Sequence, residues 1–136
     1  MIPIDRIREY LSEYSGFDLS TGDAGLEDFL VVVTCHNADA IPIALRAVGD
    51  SYIVSADLWR ERYSDIDEAL NCLFFFLGTN CRFKVVKHGQ TTSAVTMEWL
   101  DRTLWCSDKT IRRYLVPVWR RARIDYRFNV LKPAQV

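Results

Sequence analysis

No C-x-x-C pair, no glycine-rich phosphate loop and no long apolar run occurs in this sequence, and each absence removes a class of protein. Cys35, Cys72, Cys81 and Cys106 lie far apart, so neither a zinc knuckle nor a dithiol redox motif can start from neighbouring ligands. The patterns G-x-x-x-x-G-K, G-x-G-x-x-G, G-x-S-x-G and H-E-x-x-H are missing, which leaves nucleotide cradles, nucleophile elbows and helical zinc sites without a signal. No apolar stretch approaches the roughly 18 residues that a membrane span needs. The opening "MIPIDRIREYLSEY" lacks the basic-then-apolar character of a secretory leader. The expectation is a cytoplasmic chain with no membrane association, no metal and no cofactor.

What is present suits one folded unit. A chain of 136 residues has the size of a single domain, taken as 1–136, and should bury about two-thirds of its unfolded surface. Apolar residues make up 49% and charged residues 26%, which is ordinary for a globular chain and argues against disorder. In that setting the four cysteines, each within an apolar or strand-like stretch, read as reduced thiols packed like small hydrophobes. The net charge of −1 argues against a general nucleic-acid binder, yet it is unevenly spread. Residues 1–80 hold 5 basic and 14 acidic side chains, whereas 81–136 hold 12 basic and 4 acidic. Halves of opposite sign can meet within the fold, between subunits, or at an external partner.

Apolar periodicity sets out the elements. Ile4, Ile7, Leu11 and Tyr14 recur at helical steps behind Pro3, and Gly16 is placed to end that helix. The stretch 15–28, rich in glycine, serine and aspartate, reads as a loop. Strands are expected at 29–36, 41–48 and 51–58, joined by short turns into an antiparallel meander. Pro42 cannot donate to a ladder, which places it at an edge or a strand start. Then comes "YSDIDEALNCLFFFLG". Ser64 suits an N-cap, Asp65, Asp67 and Glu68 load the first turn, and Gly78 suits the end, so the spacing predicts a helix over 65–77. Ile66, Ala69, Leu70, Leu73 and Leu77 form its stripe, while Phe74, Phe75 and Phe76 fan through about 200° at 100° per residue. One sheet face cannot cover such a fan. Strands at 81–88 and 93–100 follow, the latter grouping Val95, Met97 and Trp99. A C-terminal helix capped by Ser107 is then expected, with a break near Pro117, arginines on its outer side and a tail at 129–136.

The order α-β-β-β-α-β-β-α, with "DEALNCLFFFLGTNCRFKVV" as an apolar helix running straight into a strand, resembles the class I type III secretion chaperone fold and the related YbjN-like domains of bacteria. The expected class is α+β, an antiparallel sheet packed by helices. The resemblance implies a small non-catalytic cytoplasmic protein, a homodimer joined through its middle helix, holding an extended stretch of a partner. A near-neutral chain with many C-terminal arginines departs from the acidic character of secretion chaperones.

Two functional expectations come from different classes. The first is a non-enzymatic protein-binding module, chaperone-like or regulatory, that acts as a homodimer with an unidentified protein partner. Its interface is expected at Leu73, Phe74, Phe75, Phe76 and Leu77. The second is anion or nucleic-acid binding through Arg112, Arg113, Arg120, Arg121, Arg123 and Arg127, accompanied by Tyr114, Trp119 and Tyr126; the plainer account of those arginines is a solvated helix face. Cys35 and His36 tempt a nucleophile–base reading, but neighbours on a strand point to opposite faces. Asp65, Asp67 and Glu68 suit a cation on paper and a helix dipole more simply.

Overall fold

The computed structural model describes residues 3–23, 29–113 and 119–133. Helix α1 (Pro3–Leu11) carries Pro3 in its first turn and buries Ile7 and Leu11. A two-residue strand β1 (Tyr14–Ser15) precedes β2 (Phe17–Asp23), β3 (Phe29–Cys35), β4 (Ile43–Val48), β5 (Ser51–Ala56) and β6 (Trp59–Tyr63). β2 to β6 pair in chain order as a five-stranded antiparallel meander. Helix α2 (Ile66–Leu77) is followed by β7 (Cys81–His88), β8 (Thr91–Asp101), β9 (Leu104–Arg112) and β10 (Ala122–Arg127), which form a second antiparallel sheet in the order β10-β7-β8-β9. A short β11 (Lys132–Pro133) returns to β1. The class is α+β, dominated by antiparallel sheet.

Period-two burial explains the first sheet. Ile43, Leu45 and Ala47 of β4 are buried while Arg46 and Val48 between and beyond them are exposed. Pro42 stands just ahead of β4, outside the ladder. Gly49, with φ +58°, makes the tight link from Val48 to its register partner Ser51, a backbone that a side chain would strain.

Three readings are revised. Residues 17–23, expected as loop, pair along their whole length with β3, from Phe17 opposite Cys35 to Asp23 opposite Phe29. Glycine and aspartate tolerate a ladder when a strongly apolar neighbour offers one, and Phe17 and Leu19 pack on the core. β6 was not foreseen, because "WRERY" alternates one buried ring with charges and Asp57, at φ +54°, turns the chain into it unannounced. The C-terminal helix is the largest revision. Ser107 lies within β9 rather than capping anything, and β10 is a strand. The helical stripe competed with two open sheet edges, those of β8 and β7, and ladder pairing won. The expected break near Pro117 lies outside the described residues. Smaller adjustments follow at two caps. Asp65, not Ser64, caps α2 by accepting from the Asp67 amide at 3.1 Å. Gly78 ends it in extended backbone, its amide donating to the Phe75 carbonyl at 3.1 Å. Gly16 lies between β1 and β2, beyond the helix it was placed to end.

The expected tail at 129–136 is anchored through residue 133. The Asn129 side chain is buried, accepts from the Ile41 amide at 3.1 Å and donates to the Phe76 carbonyl at 3.2 Å. Asn37 clasps the same segment, donating to Phe128 and accepting from the Val130 amide.

The core answers the question of cover. Phe76 lies edge-on to Trp59 of β6 and to Phe83 of β7, each pair of ring centres 5.0 Å apart. Trp59 donates from Nε1 to the Lys109 carbonyl of β9 at 3.2 Å, tying one sheet to the other. α1 covers another side: Tyr10 stacks on Phe74 at 3.9 Å, and Arg6 pairs with Asp67 at the head of α2. Phe76→Ala should therefore cost about 3–5 kcal/mol of stability, while Phe75→Ala should cost about 1 kcal/mol or less, as read from denaturant midpoints.

Candidate functional site

Of the five residues expected at an interface, the chain encloses three. Leu73, Phe76 and Leu77 are buried in the core, and Phe74 is half-buried beneath Tyr10. The fan indeed needs more than one sheet face, and within the same chain β6 and α1 supply the further walls for Phe76 and Phe74. Phe75 alone stays out, 40% exposed.

Two further large apolar side chains, Trp99 and Leu104, stay exposed on the second sheet. α2 runs within a few residues into Cys81, whose register partner on β8 is Trp99, and Trp99 in turn faces Cys106 of β9. Cys81 is buried against α2's side of the sheet, so by strand alternation Trp99, Cys106 and Leu104 belong to that side. Trp99 is nevertheless 39% exposed and Leu104 72%. The reason is length. β8 and β9 run on past the start of β7, so their hairpin end projects beyond the helix that would have covered it. Grouping Trp99 with Val95 and Met97 was right about its face; its exposure depended on where β7 began.

The arginines gather differently from a helix. Arg112 and Arg113 end β9, opposite and beyond Ala94 near the start of β8. Arg120 and Arg121 precede β10, whose first residue Ala122 faces His88 at the end of β7. Antiparallel pairing therefore brings both pairs to one end of the second sheet, with Lys87 and His88 between them. Trp119, 80% exposed, joins His88 and Arg120 around a groove of about 360 Å³. Arg123 shares this end but bonds Asp125, and Arg127 stands towards the far end, 3.7 Å from the same carboxylate. Tyr126 is on the outer face of the sheet, away from the cluster, and Tyr114 lies outside the described residues.

No family model, curated protein or solved structure matches this chain. The surfaces themselves must carry the functional argument.

The reactive-residue candidates come apart. Cys35 is buried, while His36 turns out to Asp18 at 3.1 Å. His88 meets the Arg120 carbonyl. Asp65 is engaged as a cap and Asp67 with Arg6. Among the described residues no group of three or more His, Cys, Asp or Glu is placed to hold a metal, and no helix is long and apolar enough to cross a membrane. Burial pushes the Cys81 thiol up to about 12, with Cys72 nearby adding to it. Burial also lifts Cys72, to about 11, although a hydrogen bond with Tyr63 pulls the other way. Cys35 is raised by burial as well.

Raised thiols resist attack because the thiolate is the nucleophile. A maleimide or disulfide reagent at neutral pH should leave Cys35 and Cys81 unmodified in the native protein and modify both in denaturant. The same shift has a stability consequence with a definite sign. Below the ordinary thiol value of 9.0 the burial of Cys81 leaves stability untouched; above it the unfolded chain releases the proton and the fold retains it, up to about 12. Stability should fall by about 1.4 kcal/mol per pH unit across that window on account of Cys81, and Cys81→Ala should flatten the fall in urea melts.

Proposed function

We propose that this chain is a non-catalytic protein-binding module that works as a homodimer. The observation that carries the reading is the exposure of three large apolar side chains, Phe75 in the last turn of α2 and Trp99 and Leu104 at the β8–β9 hairpin end of the second sheet. Large apolar side chains left in water favour association, each worth about 1.5–3 kcal/mol when fully buried.

Charge supports a second copy as the first partner. Among the described residues one ion pair, Lys109 with Glu61 at 3.1 Å, links the basic half of the chain to the acidic half; the others join residues within a half. The imbalance of the two halves is therefore mostly uncancelled inside one chain. A two-fold arrangement would set the acidic half of each copy against the basic half of the other, which is the self-complementarity a symmetric interface requires. Kinship with secretion chaperones and YbjN-like domains is part of the same proposal. It is supported by the opening helix, the meander, and the apolar middle helix running into a strand; the C-terminal strands depart from it.

Light scattering on purified protein at micromolar concentration should return a dimer that weakens as salt is raised. Phe75→Glu and Leu104→Glu should each yield a folded monomer. A wild-type monomer removes the proposal, and dimers in both variants would move the interface elsewhere.

The arginine end favours a second reading, binding of a single-stranded polyanion. Its specific support is Arg120 beside the exposed indole of Trp119, a cation for a phosphate next to a ring for a base, with Arg121 adjacent in sequence and Arg112 and Arg113 across the same end of the sheet. Fluorescence anisotropy with an oligothymidylate should give a log–log salt slope of about −3 if all four arginines meet phosphates. Changing the four to glutamine should abolish binding, and absence of binding by the wild type at low salt ends this reading.

A further inference from the structure

We infer that the outer face of the second sheet carries a binding site for a small organic carboxylate on a flat apolar body, with Arg82 as its charged anchor. All four strands build it. Arg82 alternates with buried Phe83 on β7 and so faces outward. Its register partner on β8 is Glu98, Trp105 comes from β9 opposite Leu100, and Tyr126 comes from β10 opposite Lys84. These are outward positions on adjacent strands, and strand pairing places them together without any sequence motif.

The guanidinium is fixed on three sides. Its carbon lies 4.2 Å from the centre of the Trp105 ring and 4.3 Å from that of Tyr126, so aromatic faces cover the fork. Its Nε donates to Glu98 Oε1 at 2.7 Å, and the Glu98 side chain is almost entirely buried. Arginine has five donor hydrogens and Glu98 takes the one on Nε. Among the described residues no protein acceptor meets the terminal Nη nitrogens. A planar donor edge, held flat between two rings, matches a carboxylate through two parallel bonds.

Beside that edge lies a cavity of about 390 Å³ walled by Arg82, Trp105, Tyr126, Phe128 and Val130. Arg82 is its one charged wall residue among those described. Asn129, also on the wall, already spends its amide on Ile41 and Phe76, and Thr79 adds one uncharged hydroxyl. The volume falls within the range of small-molecule sites, roughly 300–1,000 Å³, and an apolar wall with one convergent charge is their usual composition. One or two fused rings fill it, and Phe128 and Tyr126 supply faces for them to pack on. Glu98 offsets part of the guanidinium charge but bonds only Nε, so the Nη hydrogens remain to be bonded by a ligand carboxylate. A purely structural stacked arginine would need neither an open cavity at its free edge nor a ring of aromatics around that cavity.

The test is titration calorimetry of the full chain with 3-phenylpropionate and 2-naphthoate, each against its neutral amide. Saturable binding of the acids is expected, with the amides at least about tenfold weaker because they offer no charge to the fork. Arg82→Gln should abolish acid binding. Arg82→Lys, which keeps the charge and loses the flat edge, should weaken it about tenfold. Arg46→Gln, exposed on β4 of the first sheet, should leave it unchanged. Circular dichroism checks each variant, and if Arg82→Gln fails to fold, Arg82→Lys and Trp105→Leu carry the comparison. Acid and amide binding equally, unchanged acid binding in both Arg82→Lys and Trp105→Leu, or no saturable binding of either acid by the wild type would each overturn the site.

Discussion

Everything in this fold is arranged around three rings. Trp59, Phe76 and Phe83 come from the first sheet, the middle helix and the second sheet, and they meet edge to face with centres 5.0–6.3 Å apart. Such pairs add about 0.5–1.5 kcal/mol each beyond the area they bury, so the cluster is both the largest apolar investment and a geometric key. Its polar rim reinforces it: the Trp59 indole N–H reaches a β9 carbonyl, and the Lys109 ammonium sits over the same ring while pairing with Glu61. Two sheets that share no strand thereby meet at Trp59, with the Lys109–Glu61 pair beside it.

That arrangement decides which surfaces are left for function. Because β6 and α1 enclose most of the phenylalanine fan, the middle helix is chiefly a core element. Association then falls to what the core could not reach, namely Phe75 and the overshooting hairpin with Trp99 and Leu104. The arginines, laid on strands, separate into a cluster at one sheet end and a pair partly neutralised by Asp125. The outer face of the second sheet, far from either, gathers Arg82, Glu98, Trp105 and Tyr126 through strand pairing alone.

Much of the first two-thirds of the chain was legible because its signals are local. The alternation of Ile43, Leu45 and Ala47, the glycine turn at Gly49 and the three- and four-residue steps of α2 each specify an element within one window. The opposite orientations of Cys35 and His36 were likewise readable from strand geometry. What failed was local evidence with two solutions. Residues 107–112 and 122–127, read as parts of one helix, also carry strand-forming residues, and "FDLSTGD" carries turn residues on an alternating frame.

Sequence alone determined the α+β class, the buried faces of the central strands, the apolar character of the middle helix and the split of charge between the halves, because periodicity, capping chemistry and composition act over a few residues. Only the tertiary structure decided that the C-terminal segment is strand, that the chain itself covers Phe74 and Phe76, and that Arg82 lies between two rings. Those outcomes depend on which sheet edges stand open and which strand outlasts its neighbour, and such contacts join residues far apart in the chain that no window can weigh.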